Sequence, residues 1–153
     1  MKKTDITIMA HLRKNGRMPL TELSRQTKLP VSTIHERLKQ HMRKGVYRPS
    51  TLINFEKIGY ATRAHILLSV EQPEKGKLFE HLKAHPNVNS LSRINNGWNI
   101  IMECVFKDMI SLEEFVEKLE NAFHIKQKQV HYVLNEFKRE GFLAQPESAE
   151  ALF

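Results

Sequence analysis

Only one cysteine, Cys104, stands in this chain of 153 residues. A single thiol excludes an internal disulfide framework and a cysteine-rich zinc site. Its place in an apolar, strand-like segment gives it the character of a small buried hydrophobe rather than a nucleophile. No apolar run approaches the ~18 residues that a membrane span requires. The opening MKKTDITIMAHLRKNG carries two lysines, but Asp5, Thr7 and His11 interrupt any signal-type apolar core. A cytoplasmic protein with no membrane partner is expected. A glycine-rich phosphate loop and a nucleophile elbow are also missing, and no cofactor or metal is implied. His81 and His85 have metal-compatible spacing on an expected helix. They lack both the glutamate of an H-E-x-x-H motif and a third ligand, so surface histidines are expected.

What is present is basic charge, unevenly placed. Residues 1–50 hold twelve Lys+Arg against three Asp+Glu, a net of +9, whereas residues 51–153 carry a net of −2. That asymmetry implies two modules, of which only the first meets a polyanion.

Apolar spacing in the basic third predicts three helices. Ile8, Met9 and Leu12 share one face of the first, with Asp5 favouring its start and Asn15-Gly16 its end. Pro19 opens a second, lined by Leu20, Leu23 and Thr27. After the Lys28-Leu29-Pro30 turn, Thr33 and Glu36 have the spacing of a capping box, with Ser32 or Pro30 as the other candidate caps. Ile34, Leu38 and either His41 or Met42 face inward, and Gly45 closes the third helix. Two helices joined by a tight turn form a helix-turn-helix, whose second helix enters the major groove of double-stranded DNA. Ser32, Thr33, His35 and Glu36 are then the expected base readers. Arg37, Lys39, Arg43 and Lys44 form an expected outward basic face for phosphates, Arg37 also being able to reach a guanine. Arg17 and Arg25 are further candidate DNA contacts. Segments 46–48 and 51–53 are expected to be the strands of a wing, with Arg48 near the DNA backbone.

Asn15-Gly16-Arg17, Glu22-Leu23, Leu29, Ser32-Thr33-Ile34, Arg37-Leu38, Gly45-Val46 and Ile58-Gly59-Tyr60, in that order and spacing, resemble the Lrp/AsnC (feast/famine) family of transcription regulators. Against the family pattern, Lys28 replaces a turn glycine, Pro30 a serine and His41 a core leucine.

The remaining two thirds alternate between strand and helix signals. Strands are expected at 64–70, 88–94, 98–106 and 129–137. A helix from Pro73-Glu74 to about His85 turns Leu78, Phe79 and Leu82 inward, and another, capped by Ser111 and Glu114, buries Leu112, Phe115, Val116, Leu119 and Phe123. The order βαββαβ predicts a ferredoxin-like sheet with helices on one face. The fold class is therefore α+β: an N-terminal winged helix-turn-helix at 1–53, a linker at 54–60, a C-terminal ferredoxin-like domain at 61–140 and a tail at 141–153. The tail's apolar Ala149, Ala151, Leu152 and Phe153 leave it either disordered or docked on a neighbour.

The resemblance extends to this second domain. It implies homodimers that associate into rings up to octamers, and a small-molecule effector, typically an amino acid, bound between dimers. A sheet with one uncovered face favours self-association independently. The family's Gly-Asp-Tyr-Asp segment aligns with Asn96-Gly97-Trp98-Asn99, the candidate effector-binding residues, where both acidic positions are neutral. Siroheme decarboxylases, which bind a tetrapyrrole, share the two-module architecture and are the alternative. The histidine typical of their third strand is missing from 96–102, and such an enzyme has no need for the basic first third.

Overall fold

A computed structural model describes residues 2–149 and 151. Leu152 and Phe153, part of the expected apolar tail, lie outside the described residues. The chain divides into two compact units, one made of residues up to Leu52 and from Phe137 on, the other of residues 53–136.

Three helices build the first unit: α1 (Lys3–Lys14), α2 (Leu20–Thr27) and α3 (Val31–Arg43). Ile8, Leu12, Leu23 and Ile34 interlock as its buried centre, with Leu20, Leu29, Leu38 and Tyr47 packed around them. Each such side chain contributes about 1.5–3 kcal/mol when fully withdrawn from water. α1 is apolar on a second side as well. There Ile6 and Ala10 pack with Leu143 and with Ala149 of the short helix α6 (Pro146–Ala149). An ion pair joins Arg13 to Glu140 on the same returning segment. The tail is therefore part of the helical unit.

The structure decides between two sets of alternatives in this unit and departs from one expectation, the wing. The N-cap position of α3 is Pro30, with no side-chain cap; Thr33 is already inside the helix. Proline's fixed φ, here −57°, presets the entry, so the helix starts before a Thr33–Glu36 box can form. His41, not Met42, is the buried residue of the last turn; Met42 is half exposed. No strand forms at 46–48 or 51–53. Instead α3 ends in a Schellman motif: Gly45 (φ +68°) donates to the Met42 carbonyl at 3.1 Å and Val46 to the His41 carbonyl at 2.9 Å. The donors of Val46 and Tyr47 are both spent on His41, and Pro49 has none to give.

The second unit is a four-stranded antiparallel sheet in the order β2-β3-β1-β4, from β1 (Thr62–Val70), β2 (Val88–Arg93), β3 (Ile100–Phe106) and β4 (Ile125–Tyr132). Helices α4 (Lys75–Ala84) and α5 (Met109–Ala122) contribute to its core. Period-two alternation sends Ala64, Ile66, Leu68 and Val70 of β1 and Ile100, Met102, Cys104 and Phe106 of β3 into one core with Leu78, Leu82, Leu112, Phe115, Val116 and Leu119. Burial pushes the Cys104 thiol up to about 12.

β4 lies earlier than the expected 129–137. It runs beside β1 from Val70↔Ile125 to Ala64↔Tyr132. After Val133 donates to the Arg63 carbonyl at 2.8 Å, β1 has almost run out, which leaves Leu134 and Phe137 exposed. α5 is capped by Asp108, whose Oδ1 accepts the Ser111 N–H at 2.7 Å, rather than by Ser111 itself. His85 is not a plain surface group. Its ring packs against Phe115, tilted by 49° with centroids 4.6 Å apart, and burial, with His81 and Lys118 nearby, holds its pKa below the usual value.

Candidate nucleic-acid interface

The corner between α2 and α3 sets the angle of the third helix. Lys28 ends α2 in the left-handed conformation, φ +56°. The Ser24 hydroxyl donates to the Leu29 carbonyl at 2.5 Å and fastens the turn, and the Ile34 N–H closes the first helical bond onto the Pro30 carbonyl at 3.1 Å. With no side chain capping α3, its first N–H groups stay open to water or to a phosphate.

Successive residues advance by about 100° around a helix. Ser32, His35, Glu36, Lys39 and Arg43 therefore share one side of α3, and all are exposed; Thr33, half-buried, sits at its margin. Lys44, at the C-cap, and Arg48, in the extended segment beyond, are exposed too. Arg17 is exposed at the α1–α2 turn, where its backbone N–H donates to Asn15 Oδ1 at 3.1 Å. Arg25 is exposed on α2, but its guanidinium is paired with Glu22.

Arg37 is not on the outward face. The same rotation carries it toward Ile34 and His41, and its side chain is only 23% exposed. Its Nη1 donates to Asp5 Oδ1 at 2.7 Å and to Thr4 Oγ1 at 2.6 Å, while His41 Nε2 lies 3.5 Å from the same Asp5 oxygen. Asp5 Oδ2 accepts the Lys2 N–H at 3.0 Å. Burial pushes the Asp5 carboxyl up, yet the hydrogen bonds from Lys2, Arg37 and His41 outweigh it and hold the group below the usual carboxylate range. Sequence reasoning missed this cluster. Its signal was there in the spacing of Arg37 and His41, four apart on the apolar side of α3.

In the second unit, Asn96 (φ +64°) and Gly97 (φ +89°) form the exposed tip of the β2–β3 turn, and Trp98 is half-buried. Asn99 is engaged elsewhere. Its N–H donates to the Leu68 carbonyl at 2.9 Å, and its Oδ1 accepts the Val70 N–H at 2.6 Å. The side chain thereby caps the end of β1, where the pairing with β4 shifts register at Ser69/Val70. The four candidate effector residues thus divide into an exposed tip and a strand fastening.

A winged helix-turn-helix DNA-binding model matches residues 1–46, and the Lrp/AsnC ligand binding domain model matches residues 63–143. The chain belongs to the Lrp/AsnC family. It is a transcription regulator of that type, with a helix-turn-helix DNA-binding domain and a ligand-binding domain. Among similar proteins, the HTH-type transcriptional regulator PH0140 of Pyrococcus horikoshii is 31% identical over 144 residues, covering 93% of this chain and 90% of that one. The HTH-type transcriptional regulator FL11 of Pyrococcus abyssi is 29% identical over 76% of this chain and 78% of its own. Among solved structures, the Neisseria meningitidis regulator NMB0573 in complex with L-Met superposes with a TM-score of 0.83 at 27% identity, covering 91% of this chain and 93% of that one. Nothing in these similarities favours the siroheme decarboxylase alternative. Among the described residues, no helix is long and apolar enough to cross a membrane.

Proposed function

We propose that this Lrp/AsnC regulator reads double-stranded operator DNA through the exposed stripe of α3, and that it does so as a homodimer or larger ring. The single observation that carries the proposal is the common face of Ser32, His35, Glu36, Lys39 and Arg43, in a segment of net charge +9. Ser32, Thr33, His35 and Glu36 meet base edges; Lys39, Arg43, Lys44, Arg48 and Arg17 meet phosphates, joined by Arg25 when it releases Glu22. The protein works in the cytoplasm and has no chemical step of its own.

Self-association uses the sheet face turned away from α4 and α5. Leu67 and Ile101 pair across β1 and β3 near its centre, beside the His65↔Glu103 and His65↔His131 pairs. A two-fold axis through that face presents two α3 helices to a pseudo-palindromic site.

Any effector is expected to differ from a free amino acid such as the L-Met held by NMB0573. The 96–99 turn offers no carboxylate to an ammonium group, and the side-chain Oδ1 of Asn99 already accepts the Val70 N–H. Lack of a charge-assisted partner costs on the order of 1.5–3 kcal/mol, about ten- to a hundred-fold in affinity. A neutral or anionic compound that stacks on Trp98 suits the turn better.

One set of binding measurements tests these points. Duplexes enriched by the protein from random DNA are titrated at rising salt, with and without each amino acid, and the oligomer is sized by sedimentation. Lys39→Ala should weaken all duplexes and lower the slope of log affinity against log salt by about 0.9, whereas Ser32→Ala and His35→Ala should change the preferred sequence. Affinity independent of salt, or a monomer at micromolar concentration, would refute the proposal. Tight capture of a zwitterionic amino acid that depends on Trp98 would refute its effector part.

A further inference from the structure

Apolar contacts alone hold a helix weakly against rotation about its own axis. α3 rests on Ile34 and Leu38, side chains that tolerate small shifts among Ile8, Leu12 and Leu23. Directional bonds do not tolerate such shifts. A set of these joins α3 to α1: Arg37 Nη1 to Asp5 Oδ1 at 2.7 Å and to Thr4 Oγ1 at 2.6 Å, with His41 Nε2 at 3.5 Å from the same carboxylate. Asp5 is 7% and His41 8% exposed, so the pairing is sheltered from competing water. Asp5 is itself anchored through the Lys2 N–H at 3.0 Å, at the fixed first turn of α1. The carboxylate therefore acts as a rigid post and Arg37 as the strut.

Magnitudes show why a strut matters. Side-chain tips stand about 5–6 Å from a helix axis, so a rotation of about 20° moves them by roughly 2 Å. That is enough to break a hydrogen bond to a base edge. Contacts to phosphates through long, flexible lysines would follow such a shift.

We propose that Arg37 is a positioning residue: bonded to Asp5 and Thr4, with His41 packed at the same carboxylate, it fixes the rotation at which α3 offers Ser32, His35 and Glu36 to DNA. It sets sequence preference without touching DNA. This rests on α3 being the DNA-reading helix.

The experiment uses the full chain and two probes, the duplex most enriched by the wild-type protein from random DNA and a shuffled duplex of equal composition. Affinities are measured between about 50 and 200 mM salt, the range in which phosphate contacts declare themselves. Arg37→Gln and Asp5→Asn should each reduce the preference for the enriched duplex by about tenfold, the size of one lost base contact. Both should leave the shuffled duplex and the salt slope nearly unchanged. Thr4→Ala, at an exposed position that the fold tolerates, should shift preference in the same direction by a smaller factor and serves if either charged variant fails to fold. If Arg37→Gln lowers the slope by about 0.9 while Asp5→Asn and Thr4→Ala are silent, Arg37 contacts phosphate and the proposal is overturned. If the variants weaken both duplexes equally at constant slope, their role is structural only, and it is overturned again. Lys39→Ala run alongside separates these from a failure of α3 as the DNA-reading helix, which would leave its slope unchanged.

Discussion

The helical unit and the sheet unit organise their interiors by different means. In the sheet unit, fourteen buried residues form one cluster whose only titratable member is Cys104, a thiol kept protonated by burial. In the helical unit the buried apolar centre is split between two sides of α1, Ile8 and Leu12 on one and Ile6 and Ala10 on the other. A buried Asp5–Arg37–His41 cluster stands where α1 meets α3. The sheet core thus draws its stability from area removed from water, which is indifferent to pH and direction. The unit's sheltered ion pairs, Arg63 with Glu103 at 2.9 Å and with Glu136 at 2.5 Å, lie outside that core on β1 and β3 and just past β4. The helical unit instead sets its sheltered ion pair between two helices, where it bears on the angle of α3.

The largest effect should come from cutting the sheet core. Leu82→Ala, at a fully buried position of α4, should cost about 2–5 kcal/mol, the range for removing a buried leucine and leaving its cavity. Urea unfolding followed by the fluorescence of Trp98, which lies in this unit, reads it. A cost below about 1 kcal/mol would mean that the core repacks freely, against the packing density of ordinary interiors.

Acid should separate the two units less drastically. Asp5 in the folded protein has its pKa below the ordinary value, so its contribution is fully present above the unfolded pKa of about 4 and is lost as pH falls through the carboxylate range. The fourteen-residue sheet core holds no carboxylate; what acid removes in this unit lies outside that core, the Glu103 and Glu136 partners of Arg63 and the exposed Asp108 cap, whose carboxyl is held low by the Ser111 N–H. Methyl NMR signals of Ile8 and Ile34 should therefore lose dispersion at a higher pH than those of Ile66 and Ile100. The reverse order would contradict the comparison.

Most of the architecture was legible in the sequence because periodicity reports burial directly. The alternation in β1 and the apolar stripe of α5 locate a half-covered sheet before any coordinates. Boundaries were less legible where partners decide them. β4 stops when β1 ends, and nothing local in Val133–Phe137 announces that. The wing failed for a similar reason, since the Val46 and Tyr47 donors are drawn back to the His41 carbonyl. At the candidate site, residue type suggested DNA contact for Arg37 along with Arg17, Arg25, Arg43 and Arg48, although the helical rotation already turned Arg37 toward the core. Asn99 is the converse: its fastening role depends on where β1 happens to end, which no motif encodes.

The smallest expected effect concerns the corner on which α3 turns. Lys28 and Gly45 have nearly the same backbone, φ +56° and +68°, at the ends of α2 and α3. For a residue with a Cβ, that conformation costs roughly 1–2 kcal/mol, whereas glycine enters it freely but loses about 0.5–1 kcal/mol of extra chain entropy on folding. The two terms nearly balance, with strain slightly ahead. Lys28→Gly should thus stabilise the helical unit by about 0.5 kcal/mol, and Gly45→Ala, with nothing within 4 Å of the added Cβ, should destabilise it by a similar amount or somewhat more. Paired thermal melts of the two variants, followed by methyl NMR of Ile8 and Ile34, check both signs at once. If Lys28→Gly lowered the melting temperature, the lysine side chain would be contributing more than its strain costs, and the corner would be held by contacts rather than by backbone conformation.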